Sequence, residues 1–272
     1  MLRFAIMLIT VVQAYHKTDD IIKIVQKECQ TVANLNCSMH EDIPIVDWRS
    51  DLPRDIVWAF NEHARERITG ELALEIILKL KYIQPTRRIT ILPVVNVWGR
   101  KHVEKGHVCQ RKNKNGVDTN RNFPQNIKHY YSKTSEEYQG AHPISEKETK
   151  LIAKVLQGAS KYINIHSGEY SLYMPWDSSY EKPPKYNQML KKLKKYKKHC
   201  RECTVGPAAY TSFYRAYGTS VDYATNMGIE AYTFEIFGKD SYDCDIMFNP
   251  RGHTFHKVIN MWTKILSMSI DD

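Results

Sequence analysis

The sequence predicts an α/β fold, a single domain whose mixed, mostly parallel central sheet is flanked by helices. Short β-rich runs alternate along the chain with longer stretches of helical period, the order that builds a parallel sheet covered by helices. With 272 residues, 42% hydrophobic and 11% aromatic, the chain can bury one substantial core. No repeat, low-complexity block or linker divides it into halves.

The first element, "MLRFAIMLITVVQA" (1–14), has one early charge, Arg3, then an apolar run over 4–12 and a small residue, Ala14, suited to cleavage. It reads as a secretory leader rather than an N-terminal core helix. Residues 15–272 are then the folded domain, expected to be secreted and monomeric. "DIVWAF" (55–60) and "ITILPVVNVW" (89–98) read as strands, with "ITGELALEIILKL" (68–80) as the helix between them. Pro143 is expected to open a helix that runs to about Gln157, before Gly158. "YINIHS" (162–167) and "AYTFEIF" (231–237) read as buried strands, and the chain from Arg251 onward as helix. After the leader no apolar run is long enough for a membrane span.

The formal net charge is +9, much of it in "KYNQMLKKLKKYKKHCR" (185–201), Lys185 and Arg201 included. Met189, Leu190, Leu193 and Tyr196 recur there at helical spacing, which reads as an amphipathic helix with a lysine-rich solvated face. A weak, salt-sensitive contact with a polyanion is the alternative. No nucleic-acid-binding signature accompanies the charge.

Six cysteines, an even number in a chain that looks secreted, point to disulfides whose pairing the sequence leaves open. "HCREC" (199–203) contains a lone CxxC, a weak zinc signal beside the disulfide reading. Asn36-Cys37-Ser38 matches a glycosylation acceptor, a tripeptide common by chance.

"FNEHARERITGE" (60–71) sets His63 and Glu66 three positions apart. Among 11 histidines such pairs arise by chance, and His166 with Glu169 forms a second. Chemistry discriminates between them. A catalytic zinc takes three protein ligands from His and carboxylate, leaving a position for water. His63 and Glu66 with His166, placed far along the chain at a strand end, fit that description for one Zn2+ per chain. Sheets of this kind carry their reactive groups at the carboxyl ends of strands, where His166 and Glu235 fall.

"EHARERITGE", followed by "RKNKNGVDTNRNFP", "INIHSGEYSLYMPW" and "SFYRAYGTSVDYATNMGIEAYTFEIFG", resembles in order and spacing the zinc metallocarboxypeptidases of the carboxypeptidase A/B (funnelin) family. The likeness runs from about Asp55 to the end. It implies zinc on His63, Glu66 and His166, with Glu235 as general base. Arg111 matches the arginine that stabilises the oxyanion, and Asp118 the carboxylate that orients the first histidine. Asn120 and Arg121 match the pair gripping the substrate's terminal carboxylate, Tyr214 the tyrosine that closes over it, and Arg65 a residue lining the subsite beyond the scissile bond. Glu169 has no counterpart among the metal ligands and is expected on the cleft wall or surface.

The resemblance implies an exopeptidase acting on peptide or protein C-termini. Its specificity is divided between two signals. Val221, seven residues after Tyr214, resembles an apolar pocket floor, which with Ala209 would suit aliphatic or aromatic side chains. Asp177, eleven residues after His166, falls at a wall position that is acidic in several basic-specific relatives, and a carboxylate pointing into a closed pocket would demand Lys or Arg. The sequence leans to Lys/Arg. A zinc- or carboxylate-binding homologue without activity, or a zinc amidohydrolase, are the competing readings.

Three departures from the pattern follow. About fifty residues separate the leader from His63, too few for an activation segment of domain size, so latency by propeptide is not expected. The same stretch looks too short for the family's opening strands, and no appended β-domain is expected after Glu235.

Overall fold

Residues 56–60 and 161–166 are buried at every position, the pattern of strands covered on both faces. They lie at the centre of the sheet. The structure is a computed structural model that describes residues 15–80, 82, 85–125 and 129–272; the expected leader at 1–14 lies outside the described residues.

The first elements among the described residues are α1 (Thr18–Thr31) and a hairpin, β1 (Leu35–His40) and β2 (Ile43–Trp48), before β3 (Arg54–Phe60) and α2 (Arg67–Leu80). Next come β4 (Arg88–Leu92), α3 (Val97–Val103), a 3-10 turn at Thr119–Arg121, α4 (Lys147–Val155), β5 (Lys161–His166) and β6 (Glu169–Met174). The lysine-rich segment is α5 (Tyr186–Lys197), followed by β7 (Thr204–Pro207), α6 (Ala208–Ser212), α7 (Ser220–Asn226), β8 (Glu230–Phe237), α8 (Cys244–Phe248) and α9 (Gly252–Asp271). Among the described residues eight strands form one sheet in the order β1-β2-β4-β3-β5-β8-β6-β7. Its middle, β4-β3-β5-β8, is parallel, and antiparallel pairings flank it at β1-β2-β4 and β8-β6.

Register decides what meets at the carboxyl edge. Phe60 pairs with Ile165, so β3 ends level with β5, and His166 pairs directly with Glu235 on β8. The loop carrying His63 therefore leaves the sheet beside His166, with Glu235 one strand further on. Behind this edge Trp58, Tyr162, Tyr232, Phe234 and Trp262 are fully buried, and the Trp262 indole donates to the Ile236 carbonyl at 2.8 Å, fixing α9 to β8.

Two expected elements have different bounds. The strand expected over 89–98 stops at Leu92: Pro93 has no N–H for the ladder, and the Asn96 side chain accepts from the Gly99 N–H to cap α3. The helix expected from Pro143 begins instead at Lys147, because Ile144 has a left-handed φ of 54°. The Glu146 carboxylate accepts from Asn113 and Asn115, so this turn serves the loop before the 3-10 turn.

The opening strands expected to be missing are present. β1 and β2 complete the sheet edge, and Cys29–Cys37 ties α1 to β1. Cys109–Cys244 and Cys200–Cys203 are the other two disulfides, so the "HCREC" cysteines bind each other and hold no metal. Met189, Leu193 and Tyr196 are buried on α5, as the amphipathic reading expects; Lys192 and Lys195 pair with Glu230 and Asp272. Among the described residues no helix is long and apolar enough to cross a membrane.

Candidate zinc centre and cleft

The loop leaving β3 is shaped by Asn61, which adopts a left-handed φ of 53° and donates from its side chain to the His63 carbonyl at 2.9 Å. A turn closes when the Glu66 N–H reaches the His63 carbonyl, and α2 begins one residue later. This brings the His63 and Glu66 side chains together. His166 arrives from the end of β5.

The three residues converge on one point. His63 Nδ1 lies 2.7 Å from Glu66 Oε1, His166 Nδ1 lies 3.0 Å from Glu66 Oε2, and the two Nδ1 atoms are 3.1 Å apart. One ligand atom from each lies within 4.8 Å of the others, and all three residues are buried. Two imidazole nitrogens facing each other beside one carboxylate are suited to share a cation. Two His and one Glu are also the donor set of a catalytic zinc, so the residues present fit that ion.

The far side of His63 is braced. Its Nε2 is 3.1 Å from Asp118 Oδ1, an arrangement that leaves Nδ1 free as a lone pair. Asp118 Oδ2 accepts from Arg111 Nε at 2.8 Å and Nη2 at 2.6 Å, while Arg111 Nη1 approaches His63 Nδ1 at 3.3 Å. Burial opposes the charge on Asp118, but Arg111 and His63 hold it well below the usual carboxylate range. Asp118 also accepts from the Asn120 N–H, capping the 3-10 turn that carries Asn120 and Arg121.

Glu235 is buried, and its Oε2 has no hydrogen-bond partner among the described residues. Burial first, and then Glu66 and Glu169, push its carboxyl up to about 8, against the pull of His166 and Arg111. It lines a cleft of about 300 Å³ together with His63, Glu66, Arg111, Asn120, Arg121, His166 and Tyr214. Residues drawn from six parts of the sequence thus face one cavity.

The segment holding Asn120 and Arg121 is fixed by the loop before α7. Asn120 Oδ1 accepts from the Ser220 N–H at 2.9 Å, and Phe123 N–H donates to the Gly218 carbonyl. Gly218 has a φ of 74°, and a Cβ there would lie 2.3 Å from the Arg121 carbonyl oxygen, so only glycine permits this approach. Arg65 stacks on Phe248, 4.5 Å above the ring centroid, beside the cleft wall that Phe248 lines. Cys109–Cys244 joins the stretch just before Arg111 to α8, which carries Phe248.

Asp177 lines the cleft and is 7% exposed, with Oδ1 unpaired among the described residues. Its backbone N–H donates to Asp222 Oδ1 at 2.8 Å. Burial raises both carboxyls, and with the addition of Asp177's charge Asp222 is pushed up to about 7. Val221 and Ala209 are fully buried and do not line the cleft; Ala208, Ala216 and Thr219 do. Exposed Glu169 stands on the cleft wall.

Residues 50–262 match the sequence family described as zinc carboxypeptidase. The chain belongs to that zinc carboxypeptidase family. It is 32% identical to rat (Rattus norvegicus) carboxypeptidase B over 167 residues, which are 54% of this chain and 40% of the relative. Human (Homo sapiens) mast cell carboxypeptidase A is 27% identical over 173 residues, 56% of this chain and 41% of that protein. The matches thus span less than half the length of these relatives. Bovine thrombin-activatable fibrinolysis inhibitor, solved in complex with tick carboxypeptidase inhibitor, shares the fold with a TM-score of 0.82 at 22% identity, covering 95% of this chain and 97% of that one. In this member of the family the group that could hold the metal, among the described residues, is His63, Glu66 and His166.

Sequence reasoning missed two carboxylates near the centre. Glu62 is fully buried beneath His166, accepts from Asn164 Nδ2 at 2.7 Å, and is raised by its burial. Its only signal was adjacency to His63. Glu137 accepts from Arg121 and Tyr214; it comes from an irregular loop, and no periodicity marks it.

Proposed function

We propose that the protein is a secreted exopeptidase that removes the C-terminal residue from peptides or proteins, with a preference for Lys or Arg. The observation that carries this reading is one cleft shared by the metal group, Glu235, Arg111 and the Asn120–Arg121–Tyr214 set. Residues 15–272 act as the catalytic domain. Three disulfides support an oxidising compartment.

His63, Glu66 and His166 would hold the zinc, which supplies a Lewis acid and a divalent charge that lower the pKa of the attacking water and favour the ionised form of Glu235. Glu235 takes the proton of that water and returns it to the leaving amine. Arg111, held by Asp118 beside His63, faces the carbonyl oxygen as negative charge develops there, a contribution of a few kcal/mol. Asn120 and Arg121 bind the terminal carboxylate through charge-assisted bonds, and Tyr214 closes over it. Cutting is thereby confined to the last residue. Arg65 lines the neighbouring subsite.

Asp177 supports the basic preference. A buried carboxylate with an unpaired oxygen is stabilised by a cationic side chain, and Val221, the apolar candidate, lies behind the wall. The lysine-rich face of α5 remains open to weak polyanion contact, and the chain is taken to act as a monomer.

Purified protein assayed against blocked dipeptides with varied C-terminal residues, as free acids and as C-terminal amides, tests the reading. The expected result is release of one residue from acids only, fastest for Lys and Arg, abolished by a chelator and restored by zinc. Cleavage of amides, or activity indifferent to chelation, would overturn it.

A further inference from the structure

The donors assigned to a substrate carboxylate already hold one. Glu137 Oε1 accepts from Arg121 Nη2 at 2.8 Å and from the Tyr214 hydroxyl. Arg121 Nη1 also donates to the Asn120 carbonyl at 2.9 Å, so both terminal nitrogens of the guanidinium already have an acceptor. Arg121 is 6% exposed, and leaving its guanidinium without an acceptor would be costly. Glu137 removes that cost with the same chemistry, a carboxylate against an arginine and a phenol, that a peptide C-terminus would offer.

The backbone around Glu137 is anchored while its side chain keeps a way out. The Tyr138 carbonyl accepts from the Asp118 N–H at 2.8 Å, and the Gln139 carbonyl accepts from Asn122 Nδ2 at 2.7 Å, tying this loop to the segment that carries Arg121. The Glu137 side chain is 27% exposed, so a change of rotamer returns it to water. Burial works against its charge, but Arg121 and Tyr214 keep it below the ordinary carboxylate value, and it meets a second carboxylate as an anion. The Tyr214 hydroxyl has one proton and cannot donate to Glu137 and to a substrate carboxylate at once, and two carboxylates against one guanidinium repel each other.

We propose that Glu137 sets how tightly the cleft binds a free C-terminus: it is a built-in competitor that a substrate's terminal carboxylate must displace from Arg121 and Tyr214. This rests on the reading that those two groups grip the terminal carboxylate. Binding through the carboxylate alone is thereby weakened for every substrate. The penalty is common to acids ending in Lys or Phe, so it narrows the preference for acid over amide and leaves the choice of side chain to the rest of the cleft, Asp177 included. Glu137 touches no reacting atom, so its effect belongs in KM rather than kcat.

The test uses zinc-loaded wild type, Glu137→Ala and Glu137→Gln, with dipeptide analogues ending in Lys or Phe whose scissile amide is a methyleneamine, each as free acid and as C-terminal amide. Calorimetry is expected to show the acids binding at least tenfold more tightly to both variants than to wild type, with amide affinity changed less than twofold. KM for cleavable acids should fall in parallel while kcat stays within twofold. The Gln variant, which keeps the volume and an acceptor oxygen, decides the matter if the Ala variant does not fold. Acids that bind both variants no better than wild type, where wild type still prefers acid to amide, would show that Glu137 only braces Arg121 and would overturn the proposal alone. Acid and amide binding alike to all three proteins would overturn the carboxylate anchor and the proposal with it.

Discussion

At the metal end of the cleft His63, Glu66 and His166 stand on or beside the ends of β3 and β5, whose residues pair in fixed register at the centre of the sheet. At the other end Arg121 and Tyr214 stand on a 3-10 turn and a loop, and meet through Glu137 from another loop. The first end gathers nitrogen and carboxylate lone pairs suited to a cation, and the second has donors whose charge the chain itself satisfies. Groups that must meet a metal to within a fraction of an ångström are placed by strand register, whereas groups that select among substrates lie on loops that vary without disturbing the sheet. Asp118 bridges the two, since it binds His63 and Arg111 and accepts from the Asn120 N–H.

The largest expected effect is at the sheet end. His166→Ala removes one of three ligands, and the zinc content should fall from about one per chain to near zero, with activity lost alongside it. Atomic absorption on dialysed protein checks this. A variant that keeps stoichiometric zinc would show that the sheet edge is not the metal end at all.

Glu235→Gln separates chemistry from binding at the same edge. The side chain keeps its size but accepts no proton, so kcat should fall by about 10²- to 10⁴-fold while zinc and KM are retained. Loss of the metal in this variant would make Glu235 a ligand and sharpen the boundary between the two ends differently.

A smaller effect is expected where the loops select the substrate. Asp177→Ala should lower kcat/KM for C-terminal Lys and Arg about tenfold and spare Leu or Phe, about 1.4 kcal/mol of discrimination. The acid pair also sets a pH dependence. Asp177 and Asp222 are raised in the fold, Asp222 to about 7, so the pair gains its full negative charge only as pH rises past that value. The Lys-over-Leu preference of wild type should therefore shrink as pH drops from 8 towards 5, and kcat/KM ratios across that range read it. A preference independent of pH, unaltered by Asp177→Ala, would assign selection to apolar contacts instead.

The sequence by itself determined the central strands, because residues buried on both faces must be apolar almost throughout, and "DIVWAF" and "AYTFEIF" are. It also brought out His63, Glu66 and His166 as candidate zinc ligands, not from the HxxE spacing, which recurs along the chain, but because a catalytic zinc takes three ligands from His and carboxylate, and the fold brings these three together. Where a backbone donor or a φ value decides the outcome, local signals misled: Pro93 ended β4 early, Ile144 delayed α4, and a hairpin short enough to be overlooked completed the sheet edge. Only the tertiary structure decided the cysteine pairs, the inward turn of Asp177, the retreat of Val221 into the core, and the meeting of Glu137 with Arg121. Each depends on which distant segments approach and how a side chain leaves its backbone, and a linear pattern holds no record of that when a loop supplies the partner.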